Sequence, residues 1–243
     1  MDPYSFIDRH NTSSLLIIGD HAGQFIPSHL NGLGLNEQDL NDHIAVDIGV
    51  SAAIDAWGDH LKCSSLKAHY SRLYIDLNRS LKDPTLISSI SDKRLIEGNI
   101  GLSPASIRER VDTVYHPYHQ FLEQMIEKIV AVHGRCHILS LHSFTPIWRG
   151  ETRSLQLGLL HAKAPRWVEE IAHELRCRGF NAAMNKPYKG DLEGDCMNQH
   201  AVGKHTHVLL EVRNDLLQQH DWRINFIPSL DGIVNKMEEV ENE

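Results

Sequence analysis

Along this chain, short apolar runs bounded by glycine and polar turns alternate with longer amphipathic stretches, a pattern that predicts an α/β arrangement of buried strands and covering helices. After a polar lead-in over residues 1–13, Leu15-Leu16-Ile17-Ile18 is the first run, and Gly19-Asp20-His21-Ala22-Gly23 forms a polar turn at its carboxyl end. A helix opens at Asn36-Glu37-Gln38-Asp39-Leu40 and is predicted to reach about His60, with Asp47 on the same inward face as Ile44, Val50 and Ile54. The alternation in Ser71–Arg79 predicts a second strand, and residues 80–102, broken by Pro84, Gly98 and Gly101, an irregular flap. Ser103-Pro104 signals a helix start; that helix is predicted to break near Pro117, resume at Tyr118 and stop at Gly134.

The run 136–144 predicts a strand that ends on His142-Ser143. Beyond it come a strand over 155–160, an amphipathic helix over 165–178 closed by Gly179, and a short strand through Ala182 and Met184. The turn-rich segment 185–191 leads into a stretch expected to be mobile as far as Lys204. His207–Arg213 is the last strand, with Glu211 interrupting its apolar run, and 229–243 is expected to be an acidic surface helix.

Composition narrows the function classes. With 243 residues, 41% of them hydrophobic, the chain can bury a full core as one domain over 1–243. A formal charge of -8 argues against a nucleic-acid surface and for a small-molecule partner. No apolar run is long enough to span a membrane, and Met1-Asp2-Pro3-Tyr4 does not start a signal segment, so the expected location is cytoplasmic. Cys63, Cys136, Cys177 and Cys196 are scattered without a Cys-x-x-Cys pair and read as reduced thiols.

Histidines at the ends of two strands, His21 and His142, could converge on one metal ion, because the crevice outside strand ends is where open α/β sheets bind ligands. Asp47 on an apolar helix face is either a hydrogen-bonded structural carboxylate or a third ligand. Glu211 inside a buried strand is either paired or catalytic. Asn78-Arg79 offers a planar fork and an extra donor for a carboxylate, the alternative being a surface ion pair. His116 and His119 stand one helical turn apart and suit metal, substrate contact or local packing.

In order, Gly19-Asp20-His21-Ala22-Gly23, Asp76-Leu77-Asn78-Arg79, His116-Pro117-Tyr118-His119, Leu141-His142-Ser143-Phe144, Asn185-Lys186-Pro187-Tyr188-Lys189-Gly190 and Leu210-Glu211-Val212 resemble the marks of the N-formylglutamate amidohydrolase family, from about His21 to Leu217. That family is similar in layout to the zinc carboxypeptidases and aspartoacylases. The resemblance implies an α/β fold with a central mixed, mostly parallel sheet flanked by helices, zinc-carboxypeptidase-like (phosphorylase/hydrolase-like). It further implies one zinc ion on His21 and His142, a substrate carboxylate on Asn78 and Arg79, substrate contacts from His116 and Tyr118, and Glu211 as general base. The third metal ligand is Asp47, matching an Asp in the family's early helix; Gln24, at the place of the aspartoacylase glutamate, is the poorer donor. Arg72 is the candidate for stabilising a tetrahedral oxyanion.

The implied reaction is hydrolysis of a small N-acyl amino acid, N-formyl-L-glutamate giving L-glutamate and formate being the family's type reaction. The chain departs from the family pattern at Gly190-Asp191, often Gly-Gly there, and at Val212-Arg213-Asn214 after the glutamate. Those departures leave open another acyl group or a short peptide, and Gln24 in place of an acid leaves open amino-acid binding without turnover.

Overall fold

The computed structural model describes residues 1–240, and its centre is a seven-stranded mixed sheet. In chain order the strands are β1 (Tyr4–Ile7), β2 (Leu15–Gly19), β3 (Ser64–Ala68), β4 (His137–Phe144), β5 (Leu157–Leu160), β6 (Ala182–Met184) and β7 (Thr206–Arg213). Their spatial order is β1-β3-β2-β4-β7-β5-β6. The pairs β2–β3, β2–β4, β4–β7 and β5–β6 are parallel; β1–β3 and β5–β7 are antiparallel. The expected mostly parallel sheet is therefore present.

Alternating side chains of the central strands divide the core in two. Leu15, Ile17, Leu139, Leu141, Val208 and Leu210 pack on one face, under helices Val50–Leu61, Arg166–Cys177 and Ile227–Glu239. Leu16, Ile18, Ile138 and Leu209 pack on the other, under helix His116–His133. Burial on both faces is why these strands read as unbroken apolar runs. The helices bury at the expected period: Val50, Ala53, Ile54 and Trp57 line the inner face of the first.

Several local expectations are corrected. The early helix does not run from Asn36 to His60: it is a single turn, Glu37–Leu40, then an irregular stretch, then Val50–Leu61. Gly49 makes the difference, with φ 87° and no room for a side chain, since an added Cβ would stand 2.7 Å from Leu217 Cβ. Residues 71–79 form turns instead of a strand, and the strand is the earlier Ser64–Ala68.

No break occurs at Pro117. Residues Val111–Tyr115 take a π-helical register just before it, a wider turn that accommodates a proline lacking its N–H donor, and the helix continues to His133 with Gly134 as its left-handed cap. The stretch expected to be mobile contains a helix, Cys196–His200, whose start is capped by Asp195 Oδ1 accepting from Asn198 N at 2.7 Å. The last helix, Ile227–Glu239, is more than a surface element: Leu230, Ile233 and Met237 are buried in the core, and the remainder of the expected segment, 241–243, lies outside the described residues. No helix among the described residues is long and apolar enough to cross a membrane.

Candidate active site

β2, β4 and β7 lie near the middle of the sheet, and chain order reverses between β2 and β4, where one connection leaves toward β3 and the other toward β7. Such a switch point opens a crevice at the carboxyl ends of the strands. His21 follows the end of β2, while His142 and Glu211 stand near the ends of β4 and β7. The parallel register pairs Glu211 directly with His142, so the two side chains leave the same face. All three border a cavity of about 800 Å³, large enough for a small organic substrate.

Asp47 arrives from the irregular stretch before Gly49, tied down by its own N–H donating to His21 O at 2.9 Å. One ligand atom from each of His21, Asp47 and His142 lies within 4.8 Å of the others, and all three residues are buried. Gln24 is exposed and borders a separate groove, so Asp47, and not Gln24, joins the two histidines.

The imidazoles are aimed by carboxylates behind them. His21 Nε2 is 2.6 Å from Asp76 Oδ1; a carboxylate can only accept, so Nε2 donates there and Nδ1 is the ring nitrogen left to face the cluster. That Nδ1 is buried, has no hydrogen-bond partner, and sits 3.6 Å from Asp47 Oδ2. His142 Nδ1 lies 2.9 Å from the same Asp47 oxygen, and its Nε2 lies 3.7 Å from Asp20 Oδ2. Burial opposes a charge on His142, yet the Asp20 and Asp47 carboxylates beside it push its imidazole up to about 10. Burial likewise opposes a charge on Asp47, but His21 and His142 hold its carboxyl well below the usual range. The cluster thus demands positive charge at its centre. Two imidazoles and a carboxylate, with an unpaired buried Nδ1 among them, fit a divalent ion that keeps an open position.

Glu211 is 6% exposed, and its Oε2 has no partner among the described residues. Burial pushes its carboxyl up to about 7 against the pull of the His142 charge, and Asp47 adds to the rise. A buried acid poised near neutrality is suited to accepting and returning a proton.

Arg72 also borders the cavity, but it spans two acids: Nη1 donates to Asp47 Oδ1 at 3.3 Å and Nη2 to Asp76 Oδ2 at 3.1 Å. Burial works against its charge, and Asp76 and Asp47 more than compensate, so it stays firmly protonated. Asn78 and Arg79 line the cavity. Asn78 Oδ1 accepts from Cys196 N at 2.9 Å, which leaves its amide N–H groups as donors, and Arg79 Nη1 is braced on Asn78 O at 2.8 Å.

His116 and Tyr118, the expected substrate contacts, do not line the cavity. Tyr118 is fully buried and its hydroxyl donates to Asp20 Oδ1 at 2.5 Å; His116 is half-buried with its ring beside Tyr115. Sequence reasoning missed Asp20 and Asp76 as partners of the histidines, although both lie within the motifs that were singled out. It also missed Tyr188, which borders the cavity from the turn after β6.

A family model for N-formylglutamate amidohydrolase matches residues 13–218. No curated protein sequence matches the chain. Among solved structures, a gene product of Agrobacterium tumefaciens superposes with a TM-score of 0.91 at 24% identity, over 98% of this chain and 95% of that one. The N-formylglutamate amidohydrolase of Ralstonia eutropha superposes with a TM-score of 0.74 at 22% identity, over 99% of this chain and 98% of that one. These likenesses show the shared fold.

Proposed function

The chain belongs to the N-formylglutamate amidohydrolase family, and on that premise we propose that it is a zinc-dependent hydrolase of small N-acyl amino acids, with N-formyl-L-glutamate as the expected substrate. The observation that carries this reading is the convergence of His21, Asp47 and His142 ligand atoms within 4.8 Å, beside a buried Glu211 in register with His142. Zinc held by that donor set would polarise the amide carbonyl and lower the pKa of a water toward ~7.

The chain's own groups would do the rest. Arg79, with Asn78 next to it, binds the α- or side-chain carboxylate and so fixes the amide relative to Glu211. Glu211 takes a proton from the attacking water as the new carbon–oxygen bond forms. When the carbon–nitrogen bond breaks, the same proton passes to the departing amine, giving formate and the free amino acid. Asp76 and Asp20 keep His21 and His142 oriented, the work of carboxylates behind metal-binding imidazoles. Arg72 lies close enough to Asp47 and Asp76 to balance their charge, and its remaining N–H groups are the candidate donors to the tetrahedral oxyanion.

The rim of the cavity leaves a second substrate reading open. Lys189 there is accompanied by Asp191 and Glu193, a mixed charge that favours no single side chain on the substrate. Purified protein loaded with zinc and offered a panel of N-formyl, N-acetyl and longer N-acyl amino acids separates the two. Preference for N-formyl-glutamate supports the proposal, and preference for another acyl group the second reading. Absence of bound metal together with unchanged behaviour of His21→Ala refutes both.

A further inference from the structure

Helix His116–His133 and the short helix Cys196–His200 bring a second set of metal-donor side chains together, distinct from His21, Asp47 and His142. Cys196 and His200 are four residues apart and so share one helix face, which is turned toward His119. One donor atom from each of the three lies within 4.8 Å of the others. His119 Nδ1 is 2.8 Å from His200 Nε2, with the two rings nearly parallel. Cys196 is fully buried, His119 is 7% exposed with an unpaired Nε2, and His200 is half-buried, which gives an ion a route inward.

We propose that His119, Cys196 and His200 form a second cation site, of the Cys-His-His kind that selects zinc-class ions. The donor chemistry is borderline-soft, unlike the oxygen-rich sets that hold magnesium or calcium. Both imidazoles are kept neutral by burial, His119 being pushed down to about 3; the proton held between their facing nitrogens would move to the other nitrogen of its own ring as the ion enters, so that both facing nitrogens present lone pairs. Cys196 would give up its thiol proton to solvent as its sulfur takes a coordination position. Two nitrogens on one tetrahedral zinc stand about 3.3 Å apart, given Zn–N bonds near 2.05 Å. The histidines therefore need to separate by roughly half an ångström from their present contact, a small motion for the half-buried His200.

Asp20 faces both sets of donors. One oxygen of Asp20 lies 3.7 Å from His142 Nε2, and its charge helps hold the Cys196 thiol protonated, after the larger effect of burial.

Cobalt substitution of the full chain tests this, because the donor set of the proposed active site contains no sulfur. Metal-stripped protein reconstituted with Co²⁺ is expected to bind two ions per chain and to show a near-ultraviolet thiolate-to-cobalt charge-transfer band. Cys196→Ser should lose the band and one ion, and His200→Asn, at a more tolerant position, should do the same. His21→Ala should lose one ion and keep the band; an unchanged count in His21→Ala alone counts against the proposed active-site metal and leaves this site standing. A single ion with no band in the wild-type chain, or a band that persists in Cys196→Ser, overturns the inference.

Discussion

Replacing Glu211 with glutamine should make the protein more stable and much less active, and the structure gives both magnitudes. In the metal-free chain the Glu211 carboxyl is raised from 4.5 to about 7, chiefly by burial. Between those two values the folded state holds a proton that the unfolded state has released, so this group's contribution to stability falls as pH rises through the window. Above pH 7 the penalty is complete, and at 1.36 kcal/mol per unit it amounts to about 3 kcal/mol. Glutamine fills nearly the same volume without ionising, so Glu211→Gln should recover most of that amount at pH 8 and almost none at pH 4.5.

Urea unfolding of metal-stripped wild type and variant at the two pH values measures the difference. As general base, Glu211 is competent only when ionised, so wild-type kcat/KM should climb with pH along a single-proton limb at or below about pH 7. Loss of the base should cost about 10²- to 10⁴-fold in kcat. A variant that deformylates at near the wild-type rate, or that gains no stability at pH 8, refutes the assignment of Glu211 as a buried, poised base.

Asp76→Asn should weaken zinc binding by about 10- to 100-fold, since it takes the negative charge from the acceptor that fixes the proton on His21 Nε2; competition against a chromophoric chelator reads the change, and unchanged affinity would assign Asp76 to Arg72 alone. Arg79→Ala should raise KM for N-formylglutamate by about 10- to 100-fold, the value of a charged hydrogen-bonded pair, with little change in kcat; equal losses in both constants would place Arg79 in the chemical step. Gly49→Ala should destabilise the chain by about 1–3 kcal/mol, because it forces φ 87° on a residue whose Cβ would meet Leu217 at 2.7 Å; an unchanged thermal midpoint would show that the 41–49 stretch relaxes freely.

Central strands were the most legible part of the chain because burial on both faces leaves an unmistakable apolar run, as in Leu15–Gly19 and Thr206–Arg213. The edge strand Tyr4–Ile7 is only four residues long and half-exposed, and the strand Ser64–Ala68 is largely serine and alanine, so neither forms a long unbroken apolar run. Asp47 was picked out for a reason that the fold replaces. It was assigned to a helix face, whereas a left-handed glycine two residues later ends the irregular stretch that delivers it. Its apolar neighbours Ile44 and Ala45 are buried all the same, which is why the periodicity looked helical. His116 and Tyr118 lie in a motif that does not line the cavity, and nothing in local spacing says which side of a helix will face the site. Asp20 and Asp76 escaped notice because an acid next to a histidine in sequence gives no hint that it will stand behind one in space; His21 and Asp76 are 55 positions apart.

The arrangement of charge explains why the loops, and not only the strands, determine this site. The backbones of His142 and Glu211 are set by strand register. Asp47 and Asp76 come from irregular segments, 41–49 and 71–79, which no ladder holds in place. Arg72 joins them, with one guanidinium nitrogen on each carboxylate, and each acid also meets His21. A single half-buried cation thus fixes the spacing of two loops and neutralises part of the negative charge that would otherwise drive them apart. Lysine, a point charge without the planar fork, could not span both acids in that geometry. On this view the guanidinium is first a clamp that preorganises the His21–Asp47–His142 cluster, and whatever it contributes to an oxyanion comes from the N–H groups that the clamp leaves unused.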